Sequence, residues 1–315
     1  MRRNQRKVSV VGAGAVGSTF AYSLAQSGLA DEIVLIDKNH KLVQGQVLDL
    51  AHGQPYFPAV SIRAGNPSDY ADSQLIVITA GTAQRSGETR IELLCRNASI
   101  MRSIAADIAG QKSQAVVIVA TNPVDVMTYV VMDCLKDGDG HVLGSGTVLD
   151  SARLRHLLSG HCGVDIHNVH AYILGEHGDS EFAAWSMVHV AGMTIDDYCP
   201  ICGKCSDWQE KRRQIEQRVR DSAYHIIDYK GATWFAVGMA LVRIATAVLR
   251  NENSVLTVST KLNGEFGIRD VCLSLPCVVS GQGVEKIVVG SLPKEECAAL
   301  ENSAAVLGKA IAELD

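Results

Sequence analysis

Gly12-Ala13-Gly14-Ala15-Val16-Gly17 constrains this chain more than any other stretch. A G-x-G-x-x-G alone is a weak signal. Here it follows Lys7–Val11, a short β-branched run that reads as a buried strand, and it opens Val16–Ser27, which has helical length and composition. Asp37 ends the next apolar run, Ile33–Ile36, 20 residues after Gly17. Strand, glycine turn, helix and acid at these spacings are what a dinucleotide-binding βαβ unit needs. Gly12 permits the tight turn, Gly14 lets the backbone approach a pyrophosphate, and Gly17 lets helix and strand pack closely, with Val16 counted beside them as a cofactor-binding position. The helix start presents N–H groups and the positive dipole end to the phosphates. Asp37 would accept hydrogen bonds from the ribose hydroxyls and repel a 2′-phosphate, which favours NAD over NADP.

The alternation continues. Leu75–Thr79 and Ala115–Ala120 read as further buried strands and Ile91–Ala109 as a helix, so an α/β fold with a doubly wound parallel sheet is expected. Near residue 145 the pattern changes without a linker. Beyond it the sequence predicts a helix from near Asp150 to about Cys162, a strand at Ala171–Leu174, and long helices at Trp208–Tyr229 and Thr233–Arg250. Ser254–Thr260, Asp270–Leu275 and Lys286–Val289 are strand-like, with a hairpin-type turn at Asn263-Gly264, and Pro293 opens a last helix to Leu314. At roughly 150 residues per domain, 315 residues suit two units: a Rossmann domain over 1–145 and a C-terminal mixed α/β substrate-binding domain over 146–315.

Composition excludes other classes. A hydrophobic fraction of 47% with a net charge of −5 argues against disorder. A pI near 6.1 and the lack of a basic stripe argue against nucleic acid as partner. No apolar run reaches the roughly 18–20 residues of a membrane span. Met1–Lys7 is charged like the start of a signal peptide, but the apolar part, Val8–Val11, runs straight into Gly12, so none is expected. Nine cysteines follow no disulfide framework, which suits a reducing cytoplasm.

Three stretches carry more polar chemistry than folding needs. Thr82–Arg90 lies between a strand and a long helix. Its Ser86-Gly87 step and two arginines suit a lid that delivers charge on closing, although alone it also reads as a solvated loop. Asn122 follows a strand's carboxyl end, where α/β folds place ligands. Asp150 and Arg153 share a face at a helix start, as a mutual salt bridge or as a site. Gly175-Glu176-His177-Gly178-Asp179-Ser180 presents an imidazole between glycines. With Asp150 as orienting carboxylate, His177 becomes an acid/base candidate.

Gly12–Gly17 with Asp37, the loop Gln84–Arg90, Asn122-Pro123-Val124-Asp125, Asp150-Ser151-Ala152-Arg153 and Gly175–Ser180, in this order, resemble the bacterial L-lactate dehydrogenases of the lactate/malate dehydrogenase superfamily. The likeness runs from Val8 to the final helix. It implies NAD as cofactor, pyruvate and L-lactate as substrates, and a homo-oligomer, usually a tetramer. It also implies roles. Arg153 would clamp the substrate carboxylate, His177 would exchange the proton, Asp150 would orient and charge His177, and Arg90 would polarise the carbonyl. Asn122 would lie near the nicotinamide and carbonyl, Thr233 beside the carboxylate, and Gly81, Thr82, Ser103, Ala120 and Ser145 along the cofactor.

In this superfamily the position six before the lid arginine carries Gln in lactate enzymes and Arg in malate enzymes. Gln84 there favours pyruvate, because the second carboxylate of oxaloacetate would be buried unpaired. Arg85 next door keeps malate as the alternative, and pocket volume leaves larger 2-hydroxy acids open. A non-catalytic NAD-binding module would be expected to lack at least one of Arg90, Asp150, Arg153 and His177. Arg155 sits about 200° around the helix from Arg153, and with His170 it matches the fructose 1,6-bisphosphate positions of bacterial relatives. Binding of that bisphosphate across a subunit interface is the expectation, with local salt bridging of the two as the alternative. Cys199, Cys202 and Cys205 have a spacing that can ligate zinc, with His189 or Cys162 as remote fourth ligands. A surface loop with free thiols is preferred, and no metal is assigned.

Overall fold

A computed structural model describes residues 6–83, 87, 89–136, 140–288 and 290–314. Its first half follows the predicted alternation. The strands are β1 (Lys7–Val11), β2 (Glu32–Ile36), β3 (Ser61–Ala64), β4 (Leu75–Ile78), β5 (Val116–Val119) and β6 (Val142–Gly144). The helices are α1 (Ala15–Ser27), α2 (His40–His52), α3 (Arg90–Gly110) and α4 (Val124–Leu135), followed by α5 (Val148–Cys162). β1, β4 and β5 are buried along their whole length, as strands covered by helices on both faces must be. Each fully buried Val, Leu or Ile there contributes about 1.5–3 kcal/mol.

The second half contains β7 (Val169–His170), β8 (Ile173–Leu174), β9 (Phe182–Ala183), β10 (His189–Val190) and β11 (Met193–Thr194). After them come α6 (Ile195–Cys202), α7 (Trp208–Lys230), α8 (Phe235–Arg250), β12 (Ser254–Asn263), β13 (Arg269–Ser280), β14 (Gly283–Ile287) and α9 (Lys294–Ala312). Of the predicted strand Ala171–Leu174 only Ile173–Leu174 is strand, as β8; a separate short strand, β7, precedes it in a different sheet. The turn at Asn263-Gly264 joins β12 to β13 as an antiparallel hairpin, pairing Asn263 with Arg269.

Among the described residues one sheet of nine strands dominates, in the order β14-β13-β12-β6-β5-β4-β1-β2-β3. The six strands from β6 to β3 are parallel and have the doubly wound order. The antiparallel β12–β14 ribbon joins at β6 through Ser259 and Gly144. Apolar clusters cover both faces of this sheet. A third joins α5 and α7 with the short strands β7 to β10. No described helix is long and apolar enough to cross a membrane.

The glycine turn shows why its residues are small. Gly12 has φ +104°, and a Cβ there would lie 2.5 Å from the Ala80 nitrogen. A Cβ on Gly17 would lie 1.9 Å from the Gly12 carbonyl oxygen, so α1 packs on the turn only with glycine present.

Candidate active site

Two cavities open near the carboxyl ends of the parallel strands. The first, about 450 Å³, is lined by Gly12, Gly14, Asp37, Gly81 and Thr82. A Cβ on Gly14 would meet nothing within 4 Å, so the backbone is open to close approach. α1 has no side-chain cap, which leaves its first N–H groups for an anion. Asp37 accepts hydrogen bonds from the Ala13 N–H at 2.8 Å and the Asn39 N–H at 2.9 Å, which fixes its carboxylate at the groove. Open backbone, free N–H groups and a fixed carboxylate fit a dinucleotide. Val16 and Gly17 sit in the first turn of α1 and Ser103 is exposed on α3, and none of the three lines the groove. From α3 the groove takes Ile100, Ile104 and Asp107 instead, residues that sequence reasoning did not select. Their spacing of four and three marks one helical face.

The second cavity, about 120 Å³, gathers Ala120, Asn122, Ser145, Arg153, His177 and Thr233. Ala223 and Ile227 of α7 and Val237 and Ala240 of α8 close it with apolar surface. Asn122 follows β5, Ser145 follows β6, and Arg153 projects from the first turns of α5. His177 is brought in by the loop after β8.

Asp150, 1% exposed, lies behind this cavity and holds two of its residues. One carboxylate oxygen accepts from His177 Nδ1 at 2.6 Å and the other from Arg153 Nη1 at 2.7 Å. The two readings of the Asp150–Arg153 pair are thus one arrangement: the ion pair is part of the site. Burial works against the imidazolium, but the charge and hydrogen bond of Asp150, then Glu181 and Asp125, outweigh it and raise His177 to about 9. Burial also disfavours the Asp150 carboxylate, yet His177 and then Arg153 hold it below the usual range.

Two further carboxyl groups shape the site. Asp125 of α4 is buried. It accepts from the His177 backbone N–H at 2.8 Å and from Ser259 Oγ at 2.6 Å, pinning the histidine loop to α4 and β12. Burial pushes Asp125 up to about 6. Glu181 is also buried, with a carboxyl oxygen within 4.8 Å of both Asp150 and His177 ligand atoms. Burial, then the charge of Asp150, holds it well above the usual carboxylate range. Sequence reasoning did not assign Glu181; its place four residues after His177 was the only signal. Asn97 of α3 was missed too. It accepts from the Thr82 N–H at 3.0 Å and donates to the Asn122 carbonyl at 3.1 Å, tying the chain after β4 to the end of β5.

Arg90 does not line the cavity. It is exposed as the first residue of α3, placed there by a capping box between Thr89 and Glu92. Its charge is felt at Tyr224 of α7, which donates to Asp179 at 2.6 Å. Gln84 and Arg85 lie outside the described residues. Arg155 turns from the cavity toward β7, donating to the carbonyls of Val169 at 2.9 Å and Ile166 at 3.3 Å, while His170 is exposed on β7.

Comparison with known proteins agrees with this geometry. Family models described as the NAD binding domain and the alpha/beta C-terminal domain of lactate/malate dehydrogenase match residues 6–144 and 147–315. An L-lactate dehydrogenase of Treponema denticola is 57% identical over 100% of both chains. One from a Thermoanaerobacter species is 49% identical over 98% of this chain and 99% of its own. A crystal structure of a lactate dehydrogenase from a Medee basin deep-sea metagenome library superposes with a TM-score of 0.96 at 43% identity, covering 98% of this chain and 99% of that one. The ligand-bound minor L-lactate dehydrogenase of Enterococcus mundtii also gives 0.96, at 37% identity and 99% coverage of both. With a glycine turn shaped for NAD and a buried carboxylate joining one histidine to one arginine, this chain belongs to the lactate/malate dehydrogenase family.

Proposed function

We propose that this chain is an NAD-dependent L-lactate dehydrogenase that interconverts pyruvate and L-lactate. The observation that carries the reading is the shared cavity of Arg153 and His177, bridged from behind by Asp150. NADH, when bound, supplies the hydride taken by the substrate's carbonyl carbon. Arg153 binds the carboxylate, as a planar guanidinium does best. His177 uses Nδ1 to bond Asp150, which leaves Nε2 to give a proton to the carbonyl oxygen and to take it back in lactate oxidation. Thr233 supports the carboxylate and Asn122 the carbonyl. The apolar walls from α7 and α8 exclude water and so strengthen each charge contact. Arg90, carried by the lid, approaches the carbonyl oxygen on closure. A panel of 2-oxo acids, followed by NADH absorbance, tests this. Pyruvate is expected to be reduced most efficiently, and preference for another 2-oxo acid overturns the substrate.

Gln84 sets that preference through its neutral amide. Gln84→Arg is expected to raise kcat/KM for oxaloacetate relative to pyruvate by at least tenfold, because it offers a partner to the second carboxylate. An unchanged ratio in a side-by-side comparison rejects this role.

The division near residue 145 separates cofactor from substrate binding. The working assembly is a homo-oligomer, in our reading a tetramer, located in the cytoplasm. Exposed Leu48 on α2, Tyr56 just after it, and Phe235 and Met239 on α8 support association by leaving apolar side chains in water. Arg155 and His170 supply cations for the phosphates of fructose 1,6-bisphosphate. Adding the bisphosphate is expected to lower the half-saturating pyruvate concentration, and superimposable saturation curves would falsify activation.

A further inference from the structure

Nine cysteines are present in the chain, and the catalytic reading uses none of them. Four lie around the far end of α5, away from Asp150 and Arg153 at its start: Cys162, Cys199, Cys202 and Cys205. We propose that Cys199 and Cys205 form a reversible intramolecular disulfide, a thiol-oxidation site at the end of α6.

The local backbone brings the pair together. α6 ends at Gly203, whose left-handed conformation, φ 62°, turns its N–H back to the Cys199 carbonyl at 3.2 Å. Two residues later Cys205 returns onto the helix, and its Sγ lies 3.1 Å from Cys199 Sγ. Ordinary contact between carbon atoms is about 3.5–4.0 Å, and a disulfide bond is about 2.05 Å. The two sulfurs are therefore already closer than unrelated side chains pack, and a shift of roughly 1 Å completes the bond.

The cluster favours a pair over a metal centre. A tetrahedral zinc site holds each sulfur at about 2.3 Å from one ion, which draws all its ligand atoms close together. Among the described residues, the only three His, Cys, Asp or Glu groups with ligand atoms mutually within 4.8 Å are Asp150, His177 and Glu181. Cys162 and Cys202 are near enough to weigh on Cys199, yet they do not complete such a set.

Burial assigns the two roles. Cys199 is 7% exposed, while Cys205 is half-buried, so an oxidant reaches Cys205 first. Burial and then the neighbouring Cys205 push Cys199 up to about 12, so Cys199 is not the thiol that meets the oxidant first. With a hydroperoxide as oxidant, the Cys205 thiolate attacks one peroxide oxygen. The O–O bond breaks, Cys205 becomes a sulfenic acid, and the departing hydroxide takes up a proton to leave as water. Cys199 sulfur then attacks the sulfenic sulfur. The S–S bond forms, the S–O bond breaks, and the Cys199 proton leaves with the hydroxyl as a second water. Two thiols lose two electrons and one hydrogen peroxide becomes two waters. A dithiol reductant reverses the step by exchange.

The test uses the full-length reduced protein treated with hydrogen peroxide, then alkylated and mapped by mass spectrometry, with bound metal measured on the untreated sample. The expected result is a loss of two alkylatable thiols, a peptide two hydrogens lighter spanning 199–205, and full recovery with dithiothreitol. Cys199→Ser and Cys205→Ser each abolish that product, whereas Cys202→Ser retains it. Pairing through Cys162 or Cys202, oxidation confined to exposed Cys95 and Cys134, or a stoichiometric metal held by these thiols overturns the proposal.

Discussion

Replacing His177 with asparagine is expected to lower kcat for pyruvate reduction by roughly 10²–10⁴-fold, the usual contribution of a positioned acid/base group. NADH affinity should stay within a few-fold, since His177 lines the smaller cavity and not the dinucleotide groove. The wild-type pH profile carries the complementary signature. Reduction needs the imidazolium, and His177 stands at about 9 in the folded chain. With NADH saturating, kcat/KM for pyruvate should be flat through neutrality and fall tenfold per pH unit above about 9. Lactate oxidation needs the neutral ring and should rise over the same interval. The linkage to folding has the same sign. A histidine raised on folding stabilises the native state fully below its unfolded value, about 6.5, and loses that contribution as pH rises through its folded value. Kinetics of the asparagine variant within tenfold of wild type would remove His177 from the chemistry.

Arg153→Leu is expected to cost about 2–5 kcal/mol in transition-state binding, as removal of one partner of a buried charge pair does. That corresponds to roughly 30- to 5,000-fold in kcat/KM for pyruvate. Leucine also deprives Asp150 of its 2.7 Å partner, so thermal stability must be measured beside the kinetics. Arg153→Lys separates the two effects. It keeps a cation for Asp150 but loses the planar fork, so it should recover stability more fully than kcat/KM. If both variants lose stability and kinetics in parallel, Arg153 is only a structural ion pair.

The parallel half of the sheet was largely legible because buried strands advertise themselves. β1, β4 and β5 are short apolar runs bounded by turn residues, and the structure ends them within a residue or two of the sequence reading. What escaped had weak periodicity. β6 has three residues, too few to show any alternation. α4 buries Val124 to Thr128 and Val130 to Met132, so it lacks the polar stripe that marks a surface helix. Ala171–Leu174 read as one strand and Val169-His170 escaped, because local composition cannot show that Val169 pairs with β10 while Ile173 pairs with β9.

The site divides along a similar line. Motifs pointed to the glycine turn, Asp37, Asn122, Asp150, Arg153 and His177, and the structure places the first two on the larger groove, Asn122, Arg153 and His177 on the smaller cavity and Asp150 behind it. Ser103 came from the resemblance alone, and it stands exposed beside the α3 face that lines the groove.

The sequence by itself determined the βαβ dinucleotide unit and the choice of candidate reacting groups, since backbone sterics at glycine and side-chain ionisation are local properties. Tertiary structure alone decided how those groups are held and charged. Asp125 meets His177 across 52 residues and Ser259 across 134. Asp150 serves His177 and Arg153 at once, and Glu181 raises the imidazole from a neighbouring buried position. Burial and field depend on what surrounds a group in space, and that is created only when distant segments pack together.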